Sequence, residues 1–273
     1  MLPVLVLIGA LLLGPLGVIA SGEVEVGRAW YLGSRDSSGQ APSPAAEPRA
    51  VVQVYAARTV GWRGAFGVHT WIATKRAGDD AYLVHHVVGW RVFRGAGAVV
   101  SQTGTPDARW FGAWPALLVD HRGEAAEAMI DRIEAAVAAY PWPAEYRAWP
   151  GPNSNTFTAF VARRVPELRL DLPPHALGKD WLEPGRVVAP TPSGTGWQLS
   201  LAGVLGVAVA AEEGLELNVL GLSFGVDAND LSLRLPGFGR VGMASPPAGA
   251  AASAATATDR AAASDPPAAT AAR

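Results

Sequence analysis

The rhythm of hydrophobic and polar positions changes several times along the chain. Residues Leu2 to Ala20 are an uncharged apolar run of 19, interrupted only by Pro3, Gly9, Gly14, Pro15 and Gly17. A helix needs roughly 20 apolar residues to cross a hydrocarbon core. The same run fits a signal peptide, with Val18-Ile19-Ala20 as a small-residue cleavage site, although no Lys or Arg precedes it. Residues 1–21 are therefore expected to be a signal peptide or membrane anchor. That places the rest of the chain in the cell envelope, on the periplasmic or extracellular side. Residues 22–49, with Pro42, Pro44 and Pro48, read as an irregular lead-in.

Next come runs rich in β-branched and aromatic residues, separated by turn clusters. They predict strands over Ala50–Ala56, Phe66–Thr74 and Tyr82–Trp90. Apolar residues on both faces predict central strands covered on both sides. The period then lengthens. Ala126, Met129, Ile130, Ile133, Val137 and Tyr140 predict a helix over Glu124–Tyr140, closed by Pro141. Phe157, Phe160, Val161 and Val165 predict another over about Asn155–Val165, closed by Pro166. From Trp197 the period falls to two, through Leu215, Leu217 and Val219, then Leu231, Leu233 and Leu235. This is the pattern of a small antiparallel sheet. The expected organisation is an α+β domain over 50–182 and a β-rich module over 183–243. The remainder, 244–273, is half alanine and without large apolar residues, and is expected to be disordered.

Composition narrows the chemistry. Lys plus Arg number 22 against 24 Asp plus Glu, so no basic surplus argues for a nucleic-acid partner. With no cysteine, the chain has no disulfide, thiolate metal site or cysteine nucleophile. The stretch Gly237-Phe238-Gly239-Arg240-Val241-Gly242 has the letters of a dinucleotide fingerprint but no helix after it, and Asp227 to Asp230 reads as a turn. His85 and His86 are neighbours on a strand and face opposite sides, so they cannot share one metal. Neither a metal nor a cofactor is expected.

The segment Trp149-Pro150-Gly151-Pro152-Asn153-Ser154-Asn155-Thr156-Phe157 carries the most information. One capping residue would start the helix, yet four polar residues stand in a row. A strand with His69, a second strand with another His, and a helix opening Asn-Ser-Asn-Thr-Phe together resemble the circularly permuted papain-like fold. That group includes lecithin–retinol acyltransferase-like and NlpC-type enzymes. The resemblance implies His69 as base, His85 or His86 as its orienter, and Ser154 where those enzymes carry Cys. Asn153, Asn155, Trp71 and Trp149 would then contact substrate. The stretches Ala50–Arg58, Gly61–Ile72 and Trp149–Phe157 also resemble domain-of-unknown-function family 3750, over roughly residues 30 to 185. A serine hydroxyl must lose its proton during attack. Two readings follow: a Ser-dependent hydrolase or acyltransferase acting on an amide or ester, or an inactive envelope protein binding lipid, peptide or a protein partner. The expected ligands are a lipid or a peptide such as peptidoglycan, with the membrane met through the N-terminal segment. Trp62, Trp71, Trp110, Trp114 and Trp149 are candidates to line a groove for acyl chains or glycan.

Overall fold

The computed structural model describes residues 2–27, 29–242 and 247–249. Two antiparallel sheets and a few helices make an α+β protein. The first sheet contains β1 (Val51–Arg58), β2 (Val68–Lys75), β3 (Leu83–Val87), β4 (Val99–Thr103) and β5 (Ala116–Arg122), in spatial order β4-β3-β2-β1-β5. The strand pattern placed β1 to β3 within a few residues. The last residues of the expected third strand instead form a short helical turn, α2 (Gly89–Val92).

Alternation sends Val52, Val54, Val68 and Ile72 to one face of this sheet. There they meet α3 (Glu124–Ala138) and α4 (Ser154–Arg164), which contribute Met129, Ile130, Ile133, Phe157 and Phe160. The other face gathers Tyr55, Trp71, Val84 and Trp110. Part of the lead-in folds under the 105–114 loop, where the Asp107 carboxylate accepts hydrogen bonds from Ser37, Ser38 and the backbone N–H of Gln40.

The second sheet is a seven-stranded meander: β6 (Val188–Pro190), β7 (Gly196–Leu201), β8 (Leu205–Ala210), β9 (Gly214–Val219), β10 (Leu222–Asp227), β11 (Ser232–Leu235) and β12 (Gly239–Val241). Its period-two pattern runs opposite to the usual sense. Gln198, Ser200, Glu216, Asn218, Ser223 and Arg234 are buried, while Leu199, Val207, Leu217 and Leu233 on the other face are exposed. Buried charges require partners, and here they have them. Arg234 bonds both Asp171 oxygens at 2.7 and 2.6 Å and Glu216 at 3.2 Å, and Lys179 pairs with Glu216. Asn218 donates to Asp180 at 2.6 Å and Arg163 to Gln198 at 2.9 Å. The second sheet is fastened to the 163–180 segment through charge and hydrogen bonds.

The N-terminal run forms α1 (Leu2–Ala20). Its second half docks on the body: Leu11 and Val18 are buried, and a Cβ on Gly14 would lie 1.8 Å from Pro236 O, so only glycine fits. Among the described residues, no helix is long and apolar enough to cross a membrane. The tail 244–273, expected to pack on nothing, lies outside the described residues apart from Pro247–Gly249. That segment does pack. Ala248 pairs with Val119 at the free edge of β5, its carbonyl accepting from Asp120 N at 2.8 Å.

Truncating one member of the buried network strands the others. Arg234→Ala leaves Glu216, Asp171 and Asp227 short of a partner and should cost about 3–5 kcal/mol in urea unfolding. Leu217→Ser on the outer face should stay within about 0.5 kcal/mol. Equal losses for the two would contradict the polar-inside arrangement.

Candidate functional site

Pairing between β2 and β3 ends at Ile72 opposite His85. Beyond it the first residues of β2 and the last of β3 diverge, and the start of α4 fills one side of the gap. A cavity of about 810 Å³ opens there, lined chiefly by aromatic side chains: Trp62, Phe66, Trp90, Phe93, Trp110, Phe111, Tyr146 and Trp149. Val68, Leu177, Leu220 and Leu222 add aliphatic surface, and His69, Asn153, Ser154 and Asn155 supply polar groups.

The strand-to-helix order thus brings His69 and Ser154 to one cavity, though not to each other. His69 lies on the Trp71 and Trp110 face of β2, whereas Val68 and Ile72 face the α4 side. Among the described residues no hydrogen bond joins Ser154 Oγ to His69. Instead His69 Nε2 lies 3.2 Å from His86 Nδ1, and its ring stacks on Trp110 with centroids 3.6 Å apart. His86 is therefore the partner of His69. His85 points to the other face of β3, where its ring nitrogens meet Thr74 at 3.2 Å and Ser101 at 2.8 Å. Trp71 lies behind His69 and outside the cavity lining, its Nε1 donating to Pro106 O at 2.7 Å.

The row of polar residues resolves into separate jobs. Asn153 is the N-cap: its Oδ1 accepts from Asn155 N and Thr156 N, and Thr156 Oγ1 accepts from Asn153 N, completing a capping box. Asn153 Nδ2 holds Ala148 O and Leu177 O. Asn155 ties α4 to β2 and to the following loop, donating to Val68 O at 3.0 Å and Leu177 O at 2.8 Å. It also accepts from Thr70 Oγ1 at 3.0 Å. Both asparagine amides, expected to contact substrate, are thus occupied by structural bonds. Ser154 Oγ alone of the four has no protein partner among the described residues. The backbone N–H groups at the helix start, which could stabilise an oxyanion, are likewise largely used, since Asn155 N and Thr156 N bond the cap.

The electrostatics follow from burial. Burial holds His69 well below the ordinary imidazole pKa, with His86 and Arg35 adding to the effect. Burial, then the Arg35 guanidinium, brings His86 down to about 4. Two neutral rings can share one N–H between them; two imidazolium rings could not. Arg35 comes from the lead-in and lies 3.7 Å over the Phe111 ring and 4.5 Å over Trp110. Sequence reasoning named Trp62, Trp110 and Trp149 for a groove but missed Phe66, Trp90, Phe93, Phe111 and Tyr146, and Arg35 stacked behind them. The pairs Gly89-Trp90 and Phe111-Gly112 were the available signal, since an aromatic beside a glycine in a loop has no strand to pack in. Trp114, also a groove candidate, stands outside the cavity lining.

Fold and site together define an α+β protein with an aromatic cavity beside a neutral histidine pair. Residues 49–181, which build the first sheet, its helices and most of the cavity wall, match the model of the family described as protein of unknown function (DUF3750). No curated protein and no solved structure matches the chain.

A histidine whose folded pKa is depressed binds fewer protons than in the unfolded chain, where it titrates near about 6.5. The stability it contributes is complete above that value and is lost as pH falls towards 4. The urea midpoint should therefore drop between about pH 7 and pH 4.5, and His86→Gln should lose less over that window. Parallel profiles would contradict a buried, neutral His86.

Proposed function

We propose that the protein is an envelope binding protein whose cavity takes an apolar ligand with a small polar head, as in a fatty acyl compound. The cavity lining carries this reading: eight aromatic side chains surround a volume suited to a small ligand, with few polar groups free to bind. His69, backed by His86, and Ser154 Oγ line the cavity and are available to a polar head. The neutral rings suit an uncharged ester, amide or hydroxyl; Arg63, a cationic residue of the wall, lies over the Trp62 ring.

A second reading rests on Ser154. Its hydroxyl is uncommitted and lines the same cavity as His69, the residue that the resemblance to permuted papain-like hydrolases and acyltransferases implies as base. Ser–His chemistry requires that hydroxyl within hydrogen-bond reach of the base, about 2.6–3.2 Å. It also requires a positioned base able to accept the proton. On this reading a bound substrate draws Ser154 and His69 together around the strand end.

Two measurements separate the readings. A fluorescent fatty acyl ester such as methyl cis-parinarate should bind saturably, and Trp90→Glu at the cavity wall should weaken it at least tenfold. Unchanged affinity would place the ligand elsewhere. A fluorophosphonate probe should leave the protein unlabelled. Labelling that disappears in both Ser154→Ala and His69→Ala would establish the hydrolase instead.

A further inference from the structure

We propose that the outward face of the β6–β12 sheet docks on a lipid bilayer, tilted so that its end with the apolar turns enters deepest. The register aligns side chains into continuous apolar rows across the strands. One row reads Trp197, Val209, Leu215, Val226, Leu233 and Val241, and the next includes Leu199, Val207 and Leu217. No charged residue interrupts either row. All nine of these side chains are more than two-fifths exposed. Seven strands at about 4.8 Å spacing and about six residues at about 3.3 Å rise make a plate of roughly 30 by 20 Å. That exceeds what scattered surface hydrophobes explain.

The turns say which way the plate sits. At one end they are apolar: Ala202-Gly203-Val204, Leu220-Gly221 and Pro236-Gly237-Phe238. At the other they are polar, with Glu212-Glu213 and Asp227 to Asp230. Such a gradient along the strands matches an interface between water and hydrocarbon, and a contact between two identical plates has no need of it. The apolar end is also where α1 joins, with Gly14 and Gly17 against Pro236 and Phe238. Val6, Leu7, Ile8, Leu12, Leu13 and Leu16 of α1 remain exposed. At 100° per residue they cover more than half of the helix circumference. A second rigid copy could touch one line of that surface; acyl chains surround all of it. The tail beyond Met243 has no large apolar side chain with which to cover the plate. This docking stands apart from the reading of the cavity, and either can fail without the other.

Because the chain lacks cysteine, one introduced thiol labels one site. Full-length protein carrying Leu217→Cys or Val207→Cys, labelled with the fluorophore NBD, would be added to phosphatidylcholine–phosphatidylglycerol vesicles. Ala135→Cys, exposed on α3, serves as the reference. At both sheet positions emission should rise severalfold with vesicles and fall by more than half when the lipids carry doxyl quenchers. The reference should not respond. Vesicle-bound protein whose sheet labels behave like the reference would overturn the proposal, leaving α1 alone in the lipid. Brightening without lipid that grows with protein concentration would overturn it in favour of a second copy.

Discussion

Backbone groups released where two paired strands part must find other partners or pay for their burial. Where β2 leaves β3 at Ile72 and His85, the strand's polar groups are taken up from outside the sheet. Val68 O accepts from Asn155 Nδ2, Val68 N donates to His175 O, and Thr70 Oγ1 bonds Asn155 Oδ1. These bonds draw in two elements: the start of α4 by Asn155 and the 173–178 loop by His175. The cavity is the space those replacements leave between the strand ends. Its position is therefore fixed by backbone accounting, and its character by the aromatic loops that close over it.

The two halves of the molecule use burial in opposite ways. In the first domain, apolar side chains fill both faces of the sheet in the ordinary sense. In the second, a layer of ions and amides lies between sheet and domain, and the apolar residues face out. Buried ion pairs add little net stability over apolar packing but are costly to break singly. They also admit one register: Arg234 must meet Asp171, Glu216 and Asp227 together. The network thus fixes how the meander sits on the domain while leaving its outer face free for another phase.

Much of this was legible in the sequence and some was not. Periodicity placed α3 and α4 within two residues, because each buries one stripe of Ile, Met and Phe against a sheet. It missed β4 and β5, where Val99-Val100 and Leu117–Val119 are short apolar runs that end at Ser101 and Asp120, since edge strands bury less. It found the period of two in the module but carried no sign for which side faces in; only the partners of Glu216 and Arg234 decide that, and they are distant in sequence. At the site, the Asn153–Thr156 row held more polarity than one cap requires. The surplus proved to be tethers to β2 and the 177–178 loop, with Ser154 left over. The pairing of His69 with His86 rather than with Ser154 depends on which face of β2 each side chain takes, and alternation from the buried Val68 and Ile72 already implied it.

The central claim is that the divergence of β2 and β3 creates a site for an apolar ligand. Titration calorimetry with a medium-chain fatty acyl ester at several temperatures tests it most directly, because burial of apolar surface gives a negative heat-capacity change. Saturable one-to-one binding with a negative heat-capacity change, lost when Trp90→Glu places a charge in the cavity wall, is the expected result. Binding without a heat-capacity change, or binding that the charge leaves untouched, would contradict it.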